Sequence, residues 1–336
     1  MSASPRNDFD PLAYNPRFAW RFLAPKYWGT WLTVLLGVPF SLLPHKVRYW
    51  LASRVAKIIA KKRRGTALNI WVNLALCFPE KSEQEREAIL LETLTTAGVF
   101  LSGFARLTLR SKAWLNQQCE IRGLEHITNH TQHGKNVILL VPHSWAIDIP
   151  AILLASKGMP VSAMAKKQKN EVLDWLMHRQ RVQYGGRVYE RSGGVKPFIK
   201  SVRDGYLGYY LPDQDHGREH SIFVDFCAAT KATLPGLGKL AKVSRAAIVP
   251  VFAMIDAKTG RYIVDIHPAF DPYPTESEAQ DARMMNAFIE QRVGEYPEQY
   301  MWILRLLRTQ PEEINYYRLA QKGEFPPQGT QHTKQH

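Results

Sequence analysis

Cysteine is scarce. Cys77, Cys119 and Cys227 are the only three, far apart and without Cys-x-x-Cys spacing. An odd, scattered set excludes a complete disulfide framework and a cysteine zinc site, and a reducing compartment is the simpler expectation. Acidic residues are outnumbered, 30 against 44 Lys and Arg, for a formal charge of +14. That excess calls for anionic partners: phosphate groups, an acidic protein, nucleic acid or an acidic membrane surface. The first 26 residues lack an apolar stretch with a small-residue cleavage site, so no cleavable leader is expected. There is no internal repeat and no Gly-x-Ser-x-Gly, the signature of a serine nucleophile elbow, although Ser144 stands beside a histidine. With 45% hydrophobic residues over 336 positions, the chain is not disordered and has ample material for a core.

Charge is absent altogether between Lys26 and Lys46, where the run from Tyr27 to His45 includes Trp28, Trp31 and a string of Leu and Val. Its length approaches the roughly 20 apolar residues of a spanning helix, although Gly37 and Pro39 weaken it. The two tryptophans sit where an aromatic belt lies. A basic cluster follows, Lys46, Arg48, Arg54, Lys57, Lys61, Lys62, Arg63 and Arg64, of the kind that binds anionic lipid head groups. The reading is a polar segment over 1–26, a membrane-anchoring helix over 27–45 that either spans or lies in the plane, a catalytic domain over 46–320, and a polar, disordered tail over 321–336. If the run spans, positive charge after it favours the cytoplasmic face for the domain.

The domain alternates. Ser82 with Glu85 predicts a capping box opening a helix to about Thr108. Ile121 starts a short strand followed by a polar connection holding His126, His130 and His133. Asn136–Val141 is a continuous apolar run suited to a central parallel strand. Strands are expected near 161–165, 187–189, 206–211, 246–255 and 262–267. Helices are expected near 148–157, 171–183, 195–203 and 234–243, and from a second capping box at Thr275 and Glu278 to about Tyr296. This pattern predicts an α/β fold, a mostly parallel central sheet flanked by helices.

The sharpest feature is Pro142-His143-Ser144-Trp145-Ala146-Ile147-Asp148, a histidine and a carboxylate that follow the central strand and open a helix. In a strand-to-helix turn the two side chains can meet. The aspartate would then fix the imidazole tautomer, leaving the other ring nitrogen to take a proton from an alcohol. Such a site lies beyond the carboxyl ends of parallel strands, where α/β sheets bind ligands. The plainer alternative is a histidine satisfied in a loop with Asp148 as a helix N-cap. Leu211-Pro212-Asp213-Gln214-Asp215 follows another strand at the same sheet edge. No complete metal-ligand set appears, neither at Asp213 and Asp215 nor among the three histidines. Thr233–Lys239 resembles an anion-binding turn but lacks the context of a nucleotide fold. No nucleic-acid recognition motif is present.

His143 to Asp148 resembles the HX4D/E motif of membrane-bound acyltransferases that make esters from acyl thioesters. VPHSWAIDIPA, YGGRVYERSGGVKPFIKSVRDGYLGYYLPDQDHG and FVDFCAATKATLPGLGKLAKVSRAAIVPVF, in that order, resemble the late acyltransferases of lipid A biosynthesis, in particular the myristoyltransferase branch that acts on lauroylated Kdo2-lipid IVA. The likeness runs from about Lys26 to about Tyr317. It departs at Arg218, where a proline is expected, and carries Asp148 where many relatives carry Glu. The resemblance implies a glycerolipid-acyltransferase-like fold, a Gram-negative inner membrane location and no cofactor. It also implies acyl carrier protein as acyl donor, with a Kdo2-lipid A precursor and anionic membrane lipids as further partners. His143 and Asp148 are then the catalytic pair. Arg181, which matches an arginine of the second block, binds a substrate phosphate or an oxyanion. Asp213 holds Arg181 or contacts the glucosamine head group, and Arg187 and Arg191 are further substrate-binding candidates.

Overall fold

The computed structural model describes residues 10–325. Nine strands are described: β1 (Cys119–Arg122), β2 (Asn136–Leu140), β3 (Val161–Ala165), β4 (Arg187–Glu190), β5 (Leu207–Tyr210), β6 (Ile222–Phe226), β7 (Ala229–Thr233), β8 (Ala246–Ile255) and β9 (Tyr262–Ile266). The helices are α1 (Trp28–Leu42), α2 (His45–Lys62), α3 (Thr66–Cys77), α4 (Glu83–Gly103), α5 (Arg106–Leu109), α6 (Lys112–Gln118), α7 (Glu125–Gln132), α8 (Ile149–Ser156), α9 (Glu171–Arg181), α10 (Lys196–Arg203), α11 (Gly236–Ser244), α12 (Glu278–Glu295) and α13 (Tyr316–Lys322).

Seven strands form one sheet in the order β1-β9-β8-β2-β5-β3-β4. Neighbours from β8 through β2, β5 and β3 to β4 run parallel, whereas β9 turns back antiparallel to β8 and carries β1 with it. The expected mostly parallel sheet is therefore present. Strand β2 explains why its sequence is apolar throughout. Val137, Leu139 and Val141 bury into one core with helices α6 and α8, while Ile138 and Leu140 bury into the other with α3, α10, α11 and α12. Successive side chains point to opposite faces, and with helices on both faces neither set of positions can be polar.

Several local expectations shift. The capping box at Ser82 forms as predicted, with the Glu85 main-chain N–H donating to Ser82 Oγ at 3.3 Å and the Ser82 N–H donating to Glu85 Oε2 at 2.7 Å. The second does not: Ser277 caps α12, and the Thr275 hydroxyl donates to Asp281 Oδ1 at 2.8 Å. The polar connection after β1 is helix α7, with Ile127 buried in the core. The Gly-rich turn at 236–238 serves packing. A Cβ on Gly238 would lie 2.1 Å from Asp281 Oδ2, so glycine lets α11 and α12 approach. The boundary at 320 is also corrected, because α13 continues to Lys322 and Phe325 packs on the core; the rest of the expected tail, 326–336, and residues 1–9 lie outside the described residues.

The uncharged run folds as α1, only 15 residues long. At 1.5 Å per residue it extends about 22 Å, short of the roughly 30 Å hydrocarbon core. The one described helical stretch apolar and long enough to cross a membrane is 83–109, and it is more than half buried inside the protein, as a core helix is. Helix α1 nevertheless exposes Trp28, Leu32, Leu35 and Leu36, and α2 exposes Val47, Trp50, Val55 and Ile58. The basic cluster is not uniform. Arg48 is buried and donates to Val99 O and Ser102 Oγ, and Arg63 pairs with Glu83 and Glu87, while Lys46, Arg54, Lys57, Lys61, Lys62 and Arg64 stay exposed.

Strand β5 has no room beside it at Gly208. A Cβ there would stand 2.8 Å from Ile138 Cγ1 and 2.9 Å from Val202 Cγ2. Gly208→Val is expected to destabilise the fold by about 1–3 kcal/mol through overpacking. Urea unfolding measures it, and an unchanged midpoint would contradict this packing.

Candidate active site

The chain leaves β2 at Leu140 and passes through Val141 and Pro142 into the His143 turn, which is laced to the segment 299–301. The Trp145 N–H donates to Gln299 O at 2.9 Å and the Met301 N–H donates to His143 O at 2.8 Å. From the neighbouring strand β5, Leu211 and Pro212 lead to Asp213, which is fully buried. Its carboxylate takes the His143 main-chain N–H on Oδ2 at 2.7 Å and the His143 ring on Oδ1, with Nδ1 at 2.5 Å. The Tyr300 hydroxyl donates to the same Oδ2 at 2.8 Å.

This overturns the expected pairing. The carboxylate on the His143 ring is Asp213, seventy residues away, and not Asp148. Asp148 instead pairs with Arg181, whose Nε donates to Oδ1 at 2.8 Å. The expectation that Asp213 holds Arg181 fails with it. The physical reason lies in the turn. His143 is pinned by its own backbone toward β5, whereas Asp148 stands at the start of α8, which packs against α9 bearing Arg181. Asp148 does occupy the N-cap position of α8, as the plainer alternative had it, but its side chain makes no capping bond there.

The imidazole is therefore held in one tautomer. Nδ1–H donates to Asp213, leaving Nε2 as an acceptor, and the Gln214 amide donates to it at 3.0 Å. The His143 side chain keeps 14% exposure, whereas Asp213 keeps none. Gln214 was not singled out in the sequence; its place immediately after Asp213 was the available signal. Ser144 is fully buried, which removes it as a nucleophile.

Arg181 remains partly exposed beside Asp148, whose charge raises the guanidinium's pKa further. Arg191 lies exposed just after β4, close enough to act on His216. Arg187 is not brought to the site. Strand register sets it level with Ser162, Gly208 and Ile138, five residues before His143, and it is buried 3.6 Å from both Asp10 and Asp204. Among the described residues no group of three or more His, Cys, Asp or Glu is arranged to hold a metal ion. A cavity of about 610 Å³ lies between α2, α4 and the β8–β9 pair, and none of His143, Asp213, Asp148 and Arg181 lines it.

The family model for the bacterial lipid A biosynthesis acyltransferases matches residues 15–309. The chain belongs to that family. It is 44% identical over 306 residues to the lipid A biosynthesis myristoyltransferase of Escherichia coli K12, covering 91% of this chain and 95% of the relative. It is 40% identical to a lipid A biosynthesis acyltransferase of Haemophilus influenzae, over 91% of this chain and 96% of the relative. To the lipid A biosynthesis lauroyltransferase of E. coli K12 it is 29% identical, over 89% and 97% respectively. This lipid A acyltransferase is thus an enzyme of acyl transfer, and its HX4D/E residues lie at one sheet edge with different partners.

Burial alone would raise the pKa of Asp213. The charge of His143, the hydrogen bonds from its ring and backbone, and the Lys231 ammonium hold it instead far below the usual carboxylate range. A folded-state value below the unfolded one adds stability above the unfolded pKa of about 4, and that stability is lost as pH falls below it. Unfolding free energies between pH 5 and pH 2 are expected to fall less steeply for Asp213→Asn than for the parent, by up to about 1.4 kcal/mol per pH unit for one proton. Parallel slopes would show that Asp213 is not held as a carboxylate.

Proposed function

We propose that the enzyme transfers a myristoyl chain from acyl carrier protein to the 3-hydroxyl of a hydroxyacyl chain on lauroyl-Kdo2-lipid IVA. The observation that carries this reading is the partly exposed His143 imidazole, with Nδ1–H on a buried carboxylate and Nε2 held by the Gln214 side-chain amide. The acceptor hydroxyl displaces the Gln214 amide and gives its proton to Nε2. The alkoxide oxygen attacks the thioester carbonyl, a tetrahedral oxyanion forms and the C–S bond breaks. The carrier thiolate leaves with the proton that His143 took. Asp213 keeps the tautomer fixed and supports the imidazolium between the two proton transfers. No acyl-enzyme forms, which agrees with the burial of Ser144.

Arg181 has the geometry of an anion contact: Asp148 clamps one edge of its guanidinium, and the rest serves a substrate phosphate or the oxyanion. Arg191 supplies a second cation at the same edge. The stronger likeness to the myristoyltransferase than to the lauroyltransferase, 44% against 29%, supports the chain length. A lauroyl or other acyl paralogue is the outcome the product mass would reveal.

The enzyme works at the inner membrane, with the catalytic domain on the cytoplasmic face. The apolar side chains exposed along α1 and α2, flanked by Lys46, Arg54, Lys57, Lys61 and Lys62, support contact with an anionic bilayer. The formal charge of +14 also suits an acidic carrier protein. Reaction of the purified enzyme with myristoyl-acyl carrier protein and the lauroylated acceptor, followed by mass spectrometry, should yield an acceptor one myristoyl group heavier. His143→Ala should lower that turnover by at least about 10²–10⁴-fold. Near-normal turnover in His143→Ala would overturn the mechanism, and refusal of every acyl thioester would overturn the substrate assignment.

A further inference from the structure

Lys231 lies on β7, in register with Val224 of β6, and is wholly buried. Its Nζ has no hydrogen-bond partner among the described residues. A buried ammonium without a hydrogen-bond partner carries a large desolvation penalty, so its neighbours must explain its presence. It stands 4.8 Å over the centre of the Phe226 ring. Phe226 in turn packs on Tyr300, ring centres 6.4 Å apart, and Tyr300 donates to Asp213. Burial lowers the ammonium's pKa. Of the groups that oppose this, Asp213 acts most strongly, followed by Cys77, Asp215 and Cys227. Asp215 has partners of its own in Gly217, Thr309 and Arg308, and the two cysteines are free thiols. Asp213, by contrast, receives among the described residues only His143 and the neutral Tyr300 as hydrogen-bond donors.

We infer that Lys231 is the buried counter-cation of Asp213, a positioning residue that keeps this carboxylate ionised and so keeps the His143 pair free to accept a proton near neutral pH. With the ammonium in place, the cluster of Asp213 and Lys231 is neutral while the imidazole is neutral, and adding a proton leaves a net positive charge in a dry interior. The pair therefore releases its proton more readily than it would without Lys231. The role does not require Lys231 to touch substrate.

The catalytic half of this inference rests on the proposed acyl transfer, so two measurements separate the two readings. The first is the pH dependence of kcat/KM for Lys231→Met, a substitution of similar volume without charge, using the full chain in phospholipid vesicles with the acyl thioester and lipid acceptor. Its acid limb should move to higher pH by about one unit, with kcat falling more than KM changes. An acid limb superimposable on the parent's overturns the inference. The second needs no activity and also serves if Lys231→Met alone does not fold. Asp213→Asn strands the ammonium, so Asp213→Asn/Lys231→Met should melt above Asp213→Asn. A double variant that melts at or below Asp213→Asn overturns the inference, whatever reaction His143 performs.

Discussion

An ionised carboxylate buried in a protein interior is among the costliest groups a fold can hold, and Asp213 is tolerated because three separate parts of the chain converge on it. The loop after β2 supplies a backbone N–H and an imidazole, the 299–301 segment supplies a phenol, and the β6–β7 hairpin supplies the nearby ammonium. The strand order sets β2 beside β5, so His143 and Asp213 emerge from adjacent strands at the same carboxyl edge. The interaction that ties these segments together also decides which nitrogen of His143 bears a proton. Stability and chemistry thus share one anchor, and packing faults in β2 or β5, such as one at Gly208, would be transmitted to the imidazole.

Asp213 and Asp148, two carboxylates at this sheet edge, take different partners because their surroundings differ. Asp213 is sealed and holds the ring. Asp148 lies at the rim, partly exposed, and holds Arg181. Five residues carry the chain from His143 to Asp148, the residue just before α8, whose side chain meets Arg181 of α9 and not the ring. The spacing of the HX4D/E motif therefore brings an imidazole and a guanidinium to the same edge, each with its own acidic partner.

Most of the sheet was legible in the sequence because its evidence is local. The Val137–Val141 run has to be a strand covered on both faces, and the capping box at Ser82 is complete within four residues. The positions of His143, Asp148, Arg181 and Asp213 were legible too, from their places after strands and from the resemblance. Their pairing was not, since it depends on β5 lying next to β2 and α9 lying next to α8, and spacing along the chain does not encode that adjacency. Lys231 was invisible for the same reason: in sequence it is one lysine among many cations, and only packing reveals it as dry. Arg187 misled because a basic residue on a short strand reads alike at either end, while register places this one at the amino end, among Asp10 and Asp204. The uncharged run at 27–45 reads as a membrane-anchoring helix, but helix α1 stops at Leu42 before Pro44 and is too short to count among the described helices long enough to span.

The central claim is that Asp213, and not Asp148, orients the base. Turnover of Asp213→Asn and Asp148→Asn under identical conditions, each checked for folding, tests it most directly. Loss of the carboxylate on the ring should make Asp213→Asn nearly as inactive as an enzyme without its imidazole, while Asp148→Asn should retain substantially more turnover, its defect lying chiefly in the use of the anionic acceptor. An Asp213→Asn enzyme near full speed beside an inert Asp148→Asn would contradict the account.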